Sequence, residues 1–371
     1  ASSKAKPALT LALGLLLACA AFVIHMRLTR VVAKPSAPPQ LAGHHVVSDD
    51  VGGLDEVLMH YVPELEPVFD VTYKDFLGTL PPETRIVFVI QRGRRASLDA
   101  FLRRIGAQTH LEPGRGRVVE LDVPIGIWSK DRALVLAKDN DPHGSMLLVP
   151  PRPQTGDGAA LGASGSSRPF DWQIIPAVAR AMPDRGFEVK ELPLAFDAGD
   201  FAIAGNKVIF DANLLGRNRT RGYATAAALH EKMRALLGRD VVMLGTEEGD
   251  VHRHHMSMYM APLPGGTVLV GDPSLAERIV GKGYAPGETS VETGQALTAD
   301  FSAATQARFD RAARDLTRAG FRVVRVPNVP FDDKTYFAYT NGVYETRGGH
   351  RRAWVPKLDV PDLDRAAFRV Y

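Results

Sequence analysis

Short apolar runs and amphipathic stretches follow one another along the chain, and their two periods sort into a recurring order of one helix and then several short strands. In a first unit the unbroken apolar run 86–90 reads as a buried strand, and Leu98, Phe101, Leu102 and Ile105 share one helical face. Ser97 is the expected N-cap of that helix and Gly106 its stop. Strands over 118–123, 133–137 and 146–149 come next. A second unit has a helix over 174–182 and strands over 187–192, 201–204 and 208–212. A third has a helix over 225–237, stopped by Gly238, and strands over 241–244, 256–261 and 267–270. In a fourth, Phe309, Ala312, Ala313, Leu316 and Ala319 form a helical stripe ending at Gly320, followed by strands over 322–326, 337–344 and 353–355. A fifth unit opens at Asp362 with Leu363, Ala366, Ala367 and Val370 in helical register, and the sequence stops in mid-pattern at Tyr371. A helix with nothing to pack on is an unusual terminus, and the first residue is Ala, so the expectation is a fragment truncated at both ends.

Two stretches break the pattern. From Ala8 to Ile24 the chain is apolar apart from Thr10, flanked by Lys4, Lys6, Arg27 and Arg30. That run lies at the short end of the roughly 17–25 residues that span a bilayer, and no convincing small-residue cleavage site precedes Arg27. Residues 1–30 are therefore read as an uncleaved membrane anchor, with a lipoprotein box at Leu16-Leu17-Ala18-Cys19 as the lesser alternative. Residues 31–50, with Pro35, Pro38 and Pro39, read as a semi-rigid linker, and 51–371 as the globular part. A globular part tethered in this way is expected on the extracytoplasmic side. The Gly-, Ser- and Pro-rich stretch 150–169 reads as a long loop, a solvated insertion or a lid.

Composition narrows the classes. With 371 residues, 45% hydrophobic and 23% charged, a large core is affordable. A formal net charge of +3 with scattered basic residues argues against nucleic acid. One cysteine, Cys19, excludes an intrachain disulfide and leaves the globular part without a thiol nucleophile.

Three segments place ionisable groups at the edges of apolar runs: Trp128-Ser129-Lys130-Asp131, Phe196-Asp197-Ala198-Gly199-Asp200-Phe201 and His252-Arg253-His254-His255-Met256-Ser257. Buried carboxylates suit a planar guanidinium, which they bind bidentately. Each segment also has a plainer reading: Asp197 to Asp200 as an ordinary turn, Asp131 with Arg132 as a surface ion pair, Trp128 as core. If the third segment is extended, Asp250, His252 and His254 face one way as a metal-site candidate, and His255, Ser257 and Tyr259 the other; a solvated histidine-rich turn before a strand is its plainer reading.

In order and spacing the three segments resemble the guanidino-group-modifying enzymes of the pentein superfamily: arginine and agmatine deiminases, dimethylarginine hydrolases and amidinotransferases. Trp128-Ser129-Lys130-Asp131 resembles the first family motif, with Lys130 where the family has arginine. The segment from Phe196 to Phe201 is similar to the amidinotransferase form of the second, and His255-Met256-Ser257 to the third, with Ser257 where many members carry aspartate. Leu214 to Thr220, Tyr339-Thr340-Asn341-Gly342 and Trp354-Val355-Pro356 are similar as well.

The resemblance implies a five-bladed α/β propeller, its fifth blade incomplete, preceded by the hydrophobic helix. It implies no cofactor and a small guanidino substrate derived from arginine. Asp131 would hold the guanidinium, Asp197 would orient His255, and His255 would act as acid and then base. Asp200, Trp128 and Ser257 would complete the substrate site. The family's attacking thiolate is a C-terminal cysteine, which would lie beyond Tyr371. Ser257 removes one customary charge, which puts free arginine as the substrate in doubt. The rivals are a pentein that only binds its ligand, and a metal-dependent hydrolase built on Asp250, His252 and His254.

Overall fold

Apolar runs bounded by turn residues become strands here, and stripes of period 3.6 become helices, in an order that repeats. A computed structural model describes residues 41, 43–109, 115–141, 146–152, 170–290, 294–332 and 335–371. The expected anchor with Cys19, and residues 153–169 of the expected loop, lie outside the described residues. Among the described residues, no helix is long and apolar enough to cross a membrane.

The chain divides into two compact units, Asp55–Ser129 in the first, and Pro38–Leu54 with Lys130–Tyr371 in the second. Strand β1 (His44–Val46), within the span read as linker, already belongs to the second unit. The first unit consists of β2 (Glu56–His60), α1 (Glu66–Thr79), β3 (Arg85–Gln91), α2 (Arg95–Thr109) and β4 (Gly116–Leu121). Its sheet is wholly parallel in the order β2-β3-β4. The central strand is buried from Ile86 to Ile90, which is why it reads as a continuous apolar run. Tyr61, Phe69 and Phe101 pack against one another beneath the helices.

The second unit repeats a hairpin, a helical connection and a parallel strand. Strands β5 (Leu134–Lys138) and β6 (Leu147–Val149) pair antiparallel, α3 (Asp171–Ala181) follows, and β7 (Glu188–Val189) pairs parallel to β6. On the far edge β1 pairs antiparallel to β5. Strands β8 (Ala202–Ala204) and β9 (Lys207–Asp211) lead through α4 (Leu214–Asn218) and α5 (Ala226–Leu237) to β10 (Val241–Leu244), parallel to β9. Strands β11 (Met260–Leu263) and β12 (Thr267–Asp272) lead through α6 (Pro273–Val280) and α7 (Ala303–Arg318) to β13 (Arg322–Pro330), parallel to β12. Then β14 (Tyr336–Ala338) returns antiparallel to β13, and the hairpin β15 (Val343–Arg347)–β16 (His350–Trp354) precedes α8 (Pro361–Phe368).

Local chemistry sets the helix ends. Thr225 Oγ1 accepts from the Ala228 N–H at 3.2 Å to start α5, and Gly238 at φ +61° ends it. Ser302 starts α7 in the same way through the Thr305 N–H. The buried faces are Leu229, Met233, Leu236 and Leu237 on α5, and Phe309, Ala312 and Leu316 on α7. They pack into separate apolar clusters of the unit.

Of the two readings of the stretch before β11, extended or turn, the turn is the one that forms. Asp250 Oδ2 accepts from the Thr246 and Glu247 N–H groups at 2.8 and 3.1 Å, which closes a turn. Residues Met256–Met258 are 3-10, and the strand begins at Met260.

Candidate guanidino-binding site

Three single-turn 3-10 helices precede the first strands of the three hairpins: Lys130–Arg132 before β5, Ala198–Asp200 before β8 and Met256–Met258 before β11. The first packs on the second and the second on the third. Each contributes one ionisable group to a common point. Asp131 lies within the first turn, Asp197 is the N-cap of the second, and His255 the N-cap of the third.

These three side chains converge. His255 Nδ1 lies 3.4 Å from Asp131 Oδ1, and His255 Nε2 lies 3.8 Å from Asp197 Oδ2. All three are largely withdrawn from solvent, at 12% side-chain exposure for His255 and 6% for each acid. Burial alone would lower the imidazole pKa. The negative charges of Asp131, Asp197 and Asp200 outweigh it, so His255 titrates above its ordinary value.

Gly199 is what allows the approach. A Cβ there would stand 2.7 Å from Asp131 Oδ1, 2.7 Å from His255 Cγ and 2.8 Å from His255 Nδ1. The small residues of Asp197-Ala198-Gly199-Asp200 thus make room for two site side chains.

Asp200 stands one step back. Its Oδ2 accepts from the Asp197 N–H at 2.6 Å and from Arg217 Nη2 at 2.5 Å, so it fixes the backbone of the turn. Burial disfavours the Arg217 cation, but Asp200, Asp197 and Asp211 overcome that and hold it charged, its pKa raised. Behind this pair, Asp211 is buried and accepts from Tyr259 Oη at 2.9 Å. Burial and the neighbouring Asp200 push the Asp211 carboxyl up to about 7. Asp211 does not stand out in the sequence, and Arg217 stands out only as part of the stretch Leu214 to Thr220, with no role of its own.

The other expected residues are placed differently. Trp128 belongs to the first unit and is exposed, so it is not a core residue. Ser257 lies in the turn after His255, where its carbonyl accepts from Thr340 Oγ1 at 2.8 Å. Lys130 points to Asp49, at 3.1 Å. Asp131 and Arg132 are both buried rather than a surface pair, and Arg132 is bound to Asp171.

The expected metal face of Asp250, His252 and His254 does not assemble. Asp250 serves its own turn and lies 3.5 Å from Arg311, His252 Nδ1 meets Tyr336 Oη at 3.1 Å, and His254 Nδ1 accepts from the His255 N–H at 2.8 Å. The cause is the turn at Asp250, which destroys the alternation that would have aligned them. Among the described residues, one group of three His, Cys, Asp or Glu side chains brings its ligand atoms within 4.8 Å of one another, and it is Asp131, Asp197 and His255.

No family model matches the chain, and no curated protein matches it. Solved structures do. The agmatine deiminase of Enterococcus faecalis superposes with a TM-score of 0.58 at 17% identity, over 92% of this chain and 90% of that one. A candidate agmatine deiminase superposes with a TM-score of 0.55 at 11% identity, over 83% of each chain. A DDAH from Pseudomonas aeruginosa, 15% identical over 74% of this chain and 92% of that one, reaches a TM-score of 0.29, too low to add weight. The chain therefore has the pentein fold, the fold of agmatine deiminase.

Proposed function

We propose that this protein acts on the guanidino group of a small arginine-derived molecule, by hydrolysis of the deiminase kind or by amidino transfer. The observation that carries the proposal is the convergence of Asp131, Asp197 and His255. Asp131 and Asp197 flank the ring of His255, whose pKa is raised, while Asp200 is held by Arg217. Carboxylates suit a guanidinium, because they match its fork of N–H donors.

In this proposal Asp131 grips the guanidinium and Asp197 orients His255. Protonated His255 gives its proton to the departing amine and then, as the free base, takes one from water or from an acceptor amine. Separations of 3.4 and 3.8 Å are long for hydrogen bonds and would shorten on a bound ligand. Attack on the guanidine carbon falls to a cysteine thiolate from outside residues 1–371, giving a covalent amidino intermediate that water or an amine then resolves. Tethering through residues 8–24, with the globular part extracytoplasmic, completes the proposal.

The test is to express the full open reading frame and measure ammonia, citrulline or amine released from agmatine, arginine and methylarginines. Asp131→Asn and His255→Gln should each lower turnover by roughly 10²–10⁴-fold. Turnover that survives both substitutions overturns the assignment. The clustering of Asp131, Asp197 and His255 also favours a second reading, a divalent metal held by those three side chains. Stoichiometric metal in the purified protein, with activity lost to a chelator, would select it.

A further inference from the structure

The corner between β9 and α4, from Asp211 to Asn213, holds the segment that bears His255 on both sides of it. Before the third turn, Asn213 Oδ1 accepts from the Gly249 N–H at 2.9 Å, and Asn213 Nδ2 donates to the His252 carbonyl at 2.7 Å. After the turn, Tyr259 Oη donates to Asp211 Oδ2 at 2.9 Å. The same hydroxyl lies 2.8 Å from Met256 Sδ, inside the turn. The two holding side chains are joined, because Asp211 Oδ1 accepts from the Asn213 N–H at 2.9 Å.

That last bond, an aspartate side chain on the backbone two residues ahead, is all that an ordinary turn at this corner requires. The other bonds reach across to a distant segment, and they start from firm ground. Asp211 pairs with Leu244 of β10, and the Ala212 N–H donates to the Leu244 carbonyl at 2.9 Å. Asp211, Ala212 and Tyr259 are all buried. Tyr259 is also the C-cap of the third turn, its N–H donating to the Met256 carbonyl at 3.0 Å, so a fixed Tyr259 ring fixes the turn.

The same stretch of chain reaches the second turn. It runs on into Arg217, which holds Asp200, and Asp200 holds the Asp197 N–H. Residues 211–217 therefore brace the turn that bears Asp197 and the turn that bears His255, and with them the 3.8 Å between those side chains.

We propose that Asp211 and Asn213 are positioning residues of the guanidino-binding site, which keep the His255 ring within reach of Asp131 and Asp197. The inference rests on the part given to His255 in that site, and it concerns how the ring is held rather than what binds beside it.

The test follows the His255 ring signals by NMR across pH in the parent protein and in variants of the corner. Asn213→Ala and Tyr259→Phe should each let the ring drift from the two carboxylates and lower the pH at which it titrates, by about half a pH unit or more. Asp211→Leu should do the same. Asp211→Asn should keep most of the parent behaviour, because its amide oxygen can accept from the Asn213 N–H while its amide nitrogen donates to Tyr259 Oη. Thr225→Ala, which removes a helix cap elsewhere in the unit, is the control for lost stability alone and should leave the titration in place. A titration unmoved by both Asn213→Ala and Tyr259→Phe, or moved as far by Thr225→Ala, would overturn the proposal. Asp211→Asn behaving like Asp211→Leu would overturn it too. The readout needs no ligand, so agmatine that fails to bind would count against the guanidino reading and leave this inference standing.

Discussion

Replacing Gly199 by alanine tests whether the three turns are fitted to one another. The added Cβ would stand 2.7 Å from both Asp131 Oδ1 and His255 Cγ. Ordinary contact begins near 3.5 Å, so the neighbours must retreat by about 0.8 Å. Asp131 and His255 are themselves buried, and the turns that bear them pack against that of Gly199, so neither can move freely. Overpacking of this kind costs about 1–3 kcal/mol. It also parts His255 from Asp131, now 3.4 Å away, and so removes a leading cause of its raised pKa. The assay is chemical denaturation for stability, with the His255 ring signals followed by NMR across pH. Gly199→Ala should be less stable and its His255 should titrate lower than in the parent. Unchanged stability together with an unchanged His255 titration would refute the close fit.

Other consequences follow from the same side chains. Arg217→Met leaves the buried Asp200 carboxylate without its cation and should cost about 3–5 kcal/mol in denaturation. Adding Asp200→Asn to it should recover much of that loss, because no lone buried charge then remains. Because folding raises the His255 pKa above its unfolded value, the stability it contributes is full below about 6.5 and is lost as pH rises through the folded value. His255→Gln should therefore flatten the pH–stability curve on that alkaline side, and an unaltered curve would contradict the assigned shift. Thr225→Ala removes the N-cap of α5 and should cost about 1 kcal/mol, with the site's titration unaffected.

Much of the fold was legible where one physical signal dominated. The strand centred on 86–90, the stripe of Phe309, Ala312 and Leu316, and the stop at Gly238 all appear as read, because burial and turn chemistry agree there. The residues of α1 show no clear stripe, and that of α6, with Leu275, Ala276, Ile279 and Val280, runs for only eight residues. Each begins with proline in its first turn, and α1 mixes β-branched and aromatic residues of modest helix propensity. The stretch 250–257 was open between a strand and a turn because its spacing suits a strand, and the carboxylate of Asp250, bonded to nearby backbone N–H groups, decides for the turn.

The site was legible as a set of residue types, and Asp131, Asp197 and His255 do lie together. What holds them there was not. The role of Gly199 is a close approach between distant segments, and Arg217 finds Asp200 across a hairpin. Neither relation leaves a periodic trace in the chain. The blade count implied by the resemblance remains a proposal; among the described residues the second unit shows the hairpin, helix and parallel strand three times.

The most direct measurement follows the imidazole of His255 by NMR while agmatine is titrated into the protein and, separately, into Asp131→Ala. A guanidinium gripped beside that ring should shift its resonances saturably in the parent protein and leave them nearly still in the variant. Resonances of His255 that ignore agmatine in the parent, or respond equally in both proteins, would contradict the guanidino-binding account.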